Sequence, residues 1–207
     1  MHRSLILTGL AASLASAACS PDADRAGAEP DAPAAGASAA EEASATARRA
    51  ASAMVIVRDA ERRELGRLTL TDGEGGIAIA GRLTGLAPGE HGMHLHAVGR
   101  CDPPSFASAG SHWNPSERQH GSANPQGPHA GDLPNLSIGA DSSGTVEGST
   151  AAGSLFGDLP LVDGDGAALI VHAGRDDYSS QPSGGAGDPV ACGVVETAAA
   201  DPADSLR

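Results

Sequence analysis

His94 and His96 stand two apart in Gly92-Met93-His94-Leu95-His96, and they open a stretch that also holds His112, His120, His129 and Asp132. Residues i and i+2 of a strand share a face, so Met93 and Leu95 would enter a core while both imidazoles point the other way. The later spacings, eight from His112 to His120, nine to His129 and three to Asp132, fit neither one helix nor one strand. These side chains must come from a loop folded over the strand. With His172 as a late recruit, most of the chain's eight histidines gather in one place. That is the arithmetic of a metal site, and a metal would hold such a loop. His91 is expected at a surface or turn with no ligand role, and His2 lies in an N-terminal leader.

The rest of the chain reads as the scaffold for that loop. Met54-Val55-Ile56-Val57 is a short apolar run; Leu68 and Leu70 alternate with polar neighbours; Ile77, Ile79 and Leu83 share one parity. Leu136 with Ile138, Val146, Leu159 to Val162, Ala167 to His172 and Val190 to Val195 follow, divided by Asp/Gly and Pro/Gly turn chemistry. The 28 Gly, 14 Pro and only four aromatics (Phe106, Trp113, Phe156, Tyr178) favour a Leu/Val/Ile core joined by tight turns. The expected fold is all-β, an eight-stranded antiparallel Greek-key sandwich or flattened barrel spanning residues 53–197. Two strand-poor segments, 97–133 and 173–189, bracket the candidate ligands, and loops that long in a compact domain are usually functional. Trp113 is expected to pack under the first of them.

Arg3, the apolar run Leu5 to Leu14 and the small residues Ala15 to Ala18 read as an export signal over residues 1–18. Ala15-x-Ala17 suits ordinary secretion, whereas Ala17-Ala18-Cys19-Ser20 resembles a lipoprotein box with Cys19 as the lipidated residue. Residues 19–52, rich in Ala, Pro, Gly and Ser, cannot bury enough surface to fold and read as a tether, and residues 198–207 as a tail. The expected location is the periplasm or cell envelope, with membrane attachment only through a lipid on Cys19. Of three cysteines, Cys101 and Cys192 remain as a disulfide pair in an oxidising compartment. All 13 basic residues are Arg, and the net charge of -13 argues against a nucleic-acid partner, which requires a basic patch.

Gly92-Met93-His94-Leu95-His96, Gly110-Ser111-His112-Trp113-Asn114-Pro115, His120-Gly121, His129-Ala130-Gly131-Asp132-Leu133-Pro134-Asn135, Leu169-Ile170-Val171-His172 and Ala191-Cys192-Gly193-Val194-Val195 together resemble copper, zinc superoxide dismutase. The resemblance runs over residues 53–197, and the early Cys101 is similar to the exported bacterial branch. It implies one copper held by His94, His96, His112 and His172, the catalytic set, and one zinc held by His112, His120, His129 and Asp132. Zinc favours a closed tetrahedral set of N and O ligands; copper accepts four imidazoles in a tetragonal set. The resemblance further implies superoxide as substrate, dioxygen and hydrogen peroxide as products, and Asp176 as the carboxylate linking a copper ligand to a zinc ligand, with Asp177 a rival. A homodimer is left open.

One position departs from that pattern. Where close relatives carry an arginine three residues before the second cysteine, this chain has Pro189, preceded by Asp188. Arg175, Arg118 and Arg100 are the cations available to fill the gap. An alternative reading follows from the loss: a copper- and zinc-binding protein of the same fold with little catalysis.

Overall fold

The computed structural model describes residues 52–197; the export signal, Cys19, the tether and the C-terminal tail lie outside the described residues. Nine strands are formed: β1 (Ser52–Asp59), β2 (Glu64–Gly73), β3 (Gly76–Thr84), β4 (Gly89–His91), β5 (Met93–His96), β6 (Leu136–Ile138), β7 (Ser143–Ser149), β8 (Ala168–His172) and β9 (Pro189–Thr197). Seven build one antiparallel sheet in the order β5-β8-β9-β1-β2-β3-β7, and β4 pairs with β6. The chain crosses from β3 at one side of the sheet to β5 at the other, then back from β7 to β8. These are long connections of the Greek-key kind. β4 leads directly into β5, and β6 turns into β7 through a bend closed by Gly139 N–H on Ser143 O at 2.9 Å. The curled sheet is thereby completed through chain connections, giving the all-β flattened barrel expected from the strand pattern.

Period-two alternation explains which side chains fill it. Val55, Val57, Leu68, Leu70, Ile77, Ile79 and Leu83 point inward and are buried, while Ala78, Ala80 and Arg82 face out. Met93 and Leu95 join the same core from β5, as their spacing required. One expectation needs correction. Leu159 to Val162 is not a strand: Leu161 and Val162 donate their N–H groups to Ser154 and Leu155 of the same loop. Pro160 has no N–H for a ladder, and Leu159 sits at φ 50° with its side chain outside the core.

A second apolar cluster lies on the outer face of β8 and β9, where Phe106 and Ala109 of the first long loop cover Ala168, Ile170 and Cys192. The Cys101–Cys192 disulfide fastens this loop to β9, with a Cα separation of 5.7 Å across 91 residues of sequence. Closing so long a loop restricts the unfolded chain, and bonds of this kind contribute typically about 2–4 kcal/mol. Serine at either position is expected to lower the melting temperature by about 5–10 °C, read by calorimetry on the oxidised protein. An unchanged melting temperature, or two free thiols in the native wild type, would refute this role.

Candidate metal centre

The first long loop is laid along the free edge of β5 by its backbone. Trp113 N–H donates to Leu95 O at 2.8 Å, Leu95 N–H to Gly131 O at 2.9 Å, and Gly131 N–H to Trp113 O at 2.8 Å. This pairing sets His112 opposite His96 and Asp132 opposite His94. Gly131 is required there, because a Cβ on it would stand 2.4 Å from Leu95 O. Trp113 is buried beneath the loop and donates its indole N–H to Pro160 O at 3.1 Å, so its expected packing role is met.

Asp132 collects three imidazoles. Its Oδ1 lies 3.0 Å from His112 Nδ1, 3.0 Å from His120 Nδ1 and 3.2 Å from His129 Nδ1, and His129 Nδ1 is 3.2 Å from His112 Nδ1. Three donors cannot all be satisfied by one carboxylate oxygen while two of them also abut each other. A tetrahedron with metal–ligand bonds of about 2.0–2.1 Å has edges of about 3.3 Å, close to these separations. A donor of His94 also falls within 4.8 Å of those of His112, His120 and Asp132; the shorter contacts single out His129 as the fourth member. The other carboxylate oxygen accepts from Gly121 N at 2.8 Å and His129 N at 3.0 Å, which aims Oδ1 at the cluster.

His112 belongs as well to a second group, with His94, His96 and His172, whose donors lie within 4.8 Å of one another. In each of these three partners one ring nitrogen is engaged: His94 Nε2 with Asp176 Oδ2 at 2.7 Å, His96 Nδ1 with Gly110 O at 2.8 Å, and His172 Nδ1 with Gly187 O at 2.8 Å. The opposite nitrogens, His94 Nδ1, His96 Nε2 and His172 Nε2, are buried without a partner. Leaving such a group unpaired costs about 1–3 kcal/mol, and three in one place mark a site built to receive a cation. His91, expected at the surface, is instead buried. It is not in either group; its ring spans Ala87 O at 2.8 Å and His172 O at 2.7 Å, so it braces the backbone of a group member.

Asp176 contacts a histidine of each group, His94 and His120. It is fully buried, with Oδ2 on His94 Nε2 and Oδ1 3.1 Å from His120 Nε2. Such a carboxylate fixes which nitrogen of each ring remains for a metal. A Cβ on Gly184, at φ 67°, would lie 1.8 Å from Asp176 Oδ1, so only glycine admits this approach. Asp177 is not a rival in this structure: it is exposed and accepts from Ser179 N, Ser180 N and Ser180 Oγ. Two participants escaped the sequence reading. Asn135 and Tyr178 clamp the Asp176 segment through backbone and side-chain bonds; Asn135 stood within the His129–Asn135 motif, but nothing in the sequence signalled its partner.

The ionisation of the metal-free centre follows from this packing. Burial, only partly offset by the Asp176 and Gly110 contacts, pushes His94 down to about 4 and His96 down to about 3 from an ordinary 6.5. Burial would lower His120 too, but bonds to Asp132 and Asp176 outweigh it and push His120 up to about 9. Burial opposes the ionisation of Asp132 and Asp176, yet their histidine partners hold both well below the usual carboxylate range. Between pH 6.5 and 4 the unfolded chain binds protons on His94 and His96 that the folded one refuses, so stability is lost as pH falls. Between 6.5 and 9 the folded chain keeps a proton on His120 that the unfolded one releases, so stability is lost as pH rises. Each such proton changes stability by about 1.4 kcal/mol per pH unit. Denaturant unfolding of chelator-treated protein is expected to show maximal stability near pH 6.5; a flat profile from pH 5 to 9 would contradict these assignments.

Residues 65–195 match the family model described as copper/zinc superoxide dismutase (SODC). A superoxide dismutase (Cu-Zn) of Caulobacter vibrioides is 40% identical over 149 residues, covering 70% of this chain and 86% of the relative. The superoxide dismutase (Cu-Zn) 1 of Aquifex aeolicus is 40% identical over 144 residues, covering 64% and 80%. Among solved structures, a SOD-like protein from Bacillus subtilis aligns with a TM-score of 0.66 at 36% identity, over 69% of this chain and 97% of that one. The Cu/Zn superoxide dismutase from Brucella abortus aligns with a TM-score of 0.58 at 30% identity, over 70% and 99%.

Proposed function

The chain belongs to the copper/zinc superoxide dismutase family, and on that premise we propose that His94, His96, His112 and His172 hold copper while His112, His120, His129 and Asp132 hold zinc. The activity is that of an oxidoreductase using both metals, with superoxide as substrate. The observation that carries the ligand division is the set of three unpartnered imidazole nitrogens beside a tetrahedron of donors around Asp132 Oδ1. Copper held there would supply one-electron redox chemistry, by which one superoxide would be oxidised to dioxygen and a second, with two protons, reduced to hydrogen peroxide.

The chain's own residues supply the rest. His112 Nδ1 faces Asp132 and the zinc ligands, which leaves Nε2 for the copper side. Serving both at once demands an imidazolate, and two adjacent dications offset the loss of both ring protons. When not engaged with copper, Nε2 would carry a proton placed for delivery to the departing product. His94, His96 and His172 keep fixed tautomers through Asp176, Gly110 O and Gly187 O, so their donor nitrogens need no reorganisation. Zinc has no redox state to cycle; its part is to hold His112 and the loop in place.

The test is superoxide disproportionation by the copper- and zinc-loaded protein. Activity that vanishes on chelation and returns with both metals is expected; a correctly loaded centre without activity would favour the second reading. That reading, a metal-holding relative with little catalysis, has one observation behind it: Pro189 begins β9 opposite His172, where an arginine would otherwise stand. We also propose export to the cell envelope with Cys19 as the lipid anchor. A Cys19→Ser variant should leave the membrane fraction; wild-type protein lacking lipid mass would decide for ordinary secretion.

A further inference from the structure

Tyr178 ties the second long loop both to the first and to the Asp132–Asn135 segment that follows it. Its hydroxyl accepts Asn135 N–H at 2.8 Å, its own N–H donates to Asp176 Oδ1 at 2.6 Å, and its carbonyl accepts Ala123 N–H at 3.0 Å. Asn135 in turn closes a reciprocal pair on the Asp176 main chain, donating Nδ2–H to Asp176 O at 2.9 Å and accepting Asp176 N–H on Oδ1 at 2.9 Å. Asn135 lies three residues after the zinc ligand Asp132, and Ala123 three after the zinc ligand His120. Gly121 packs so closely on Tyr178 O that a Cβ there would stand 2.0 Å away.

Two further observations argue that Tyr178 is held for a purpose. Its backbone occupies φ 62°, a conformation that costs a bulky residue on the order of 1–3 kcal/mol and persists only where surroundings over-determine it. Tyr178 also lines, with Asp132, Leu133 and Pro134, a groove of about 360 Å³.

We propose that Tyr178 is a positioning residue for the metal centre: its hydroxyl and main chain, with Asn135, hold the Asp176 carboxylate between His94 and His120. The inference rests on the ligand assignment above, and its consequence is specific to zinc retention. Without the hydroxyl, the Asn135 N–H loses its acceptor, the reciprocal clamp on Asp176 loosens, and His120 loses the contact that fixes its donor nitrogen. Outer contacts of this kind are worth about 10–100-fold in metal affinity.

A double-mutant cycle on the full chain tests it. Zinc dissociation constants are measured by competition with a chromophoric chelator for wild type, Tyr178→Phe, Asp176→Ala and the pair, and cobalt(II) absorption is recorded in the zinc site of each. Tyr178→Phe is expected to weaken zinc about tenfold in the wild-type background and less than about twofold when Asp176 is already Ala, with a changed cobalt spectrum in the single variant. An equal loss in both backgrounds with an unmoved cobalt spectrum would make Tyr178 a general stabiliser and overturn the proposal, as would no loss at all. Should Tyr178→Phe not fold, Asn135→Asp isosterically removes the Nδ2–H bond to Asp176 O and must show the same coupling. A wild-type chain that binds no zinc would defeat the ligand assignment itself, a different failure from a zinc-binding wild type indifferent to Tyr178.

Discussion

Asp132→Ala is expected to strip zinc from the centre while copper stays bound. The wild type should carry one zinc and one copper; the variant, dialysed against a moderate chelator, should keep the copper alone. The division follows from what each metal has left. On the proposed division zinc would lose its only oxygen ligand and with it the atom on which His112, His120 and His129 converge, whereas copper would retain four imidazoles. Since outer partners of a ligand already cost about 10–100-fold in affinity, removal of a direct ligand should exceed 100-fold. Asp132 has a second job, because its other oxygen accepts the N–H groups of Gly121 and His129. Asp132→Asn separates the two: it keeps a hydrogen-bonding oxygen for the loop but offers a poorer, uncharged ligand. Both variants should therefore lose zinc, and only the alanine variant should also loosen the loop. Equal loss of both metals in either variant would show the two sites to be wrongly divided.

Much of this was legible because local pattern and chemistry agreed. The i, i+2 spacing of His94 and His96 required one polar and one apolar face, and β5 buries Met93 and Leu95 while holding both rings on the other side. The irregular spacings from His112 to Asp132 required a loop, and the loop is there, pinned along β5. Other features could not be read. Leu159 to Val162 has the apolar content of a strand, but its N–H groups bond within its own loop, a choice set by geometry beyond the segment. His91 was misjudged because its acceptors are two backbone carbonyls, Ala87 O and His172 O, and carbonyl positions leave no trace in a sequence. The same holds for Gly110 O and Gly187 O, which select the donor nitrogens of His96 and His172. The Tyr178–Asn135 pair spans 43 residues of sequence, so neither residue advertises the other.

Superoxide disproportionation by this protein is expected to fall little with added salt and to run more slowly than in arginine-bearing relatives. The substrate is a small anion approaching a chain of net charge -13, and fields that attract a substrate raise association rates by about 10- to 1000-fold; copper, zinc superoxide dismutase is itself a standard example of such steering. Pro189 contributes no charge at the start of β9, opposite His172. Of the three arginines available to compensate, two are engaged. Arg118 donates to Gly127 O, and Arg100 is paired with Asp102 at 2.7 Å. Arg175 is exposed, immediately before Asp176, and its side chain has no hydrogen bond or ion pair among the described residues. It is the one of the three left unengaged, and its segment also carries Asp177 and Asp188. With so little favourable field to screen, ionic strength has little to remove. Pro189→Arg should raise the rate at low salt by about tenfold, the lower end of that range, and make its salt dependence steeper than the wild type's. Arg175→Gln should abolish whatever salt dependence the wild type retains. A wild-type rate near the diffusion limit, dropping steeply with salt and unaffected by Arg175→Gln, would sink this account and return the steering role to Arg118 or Arg100.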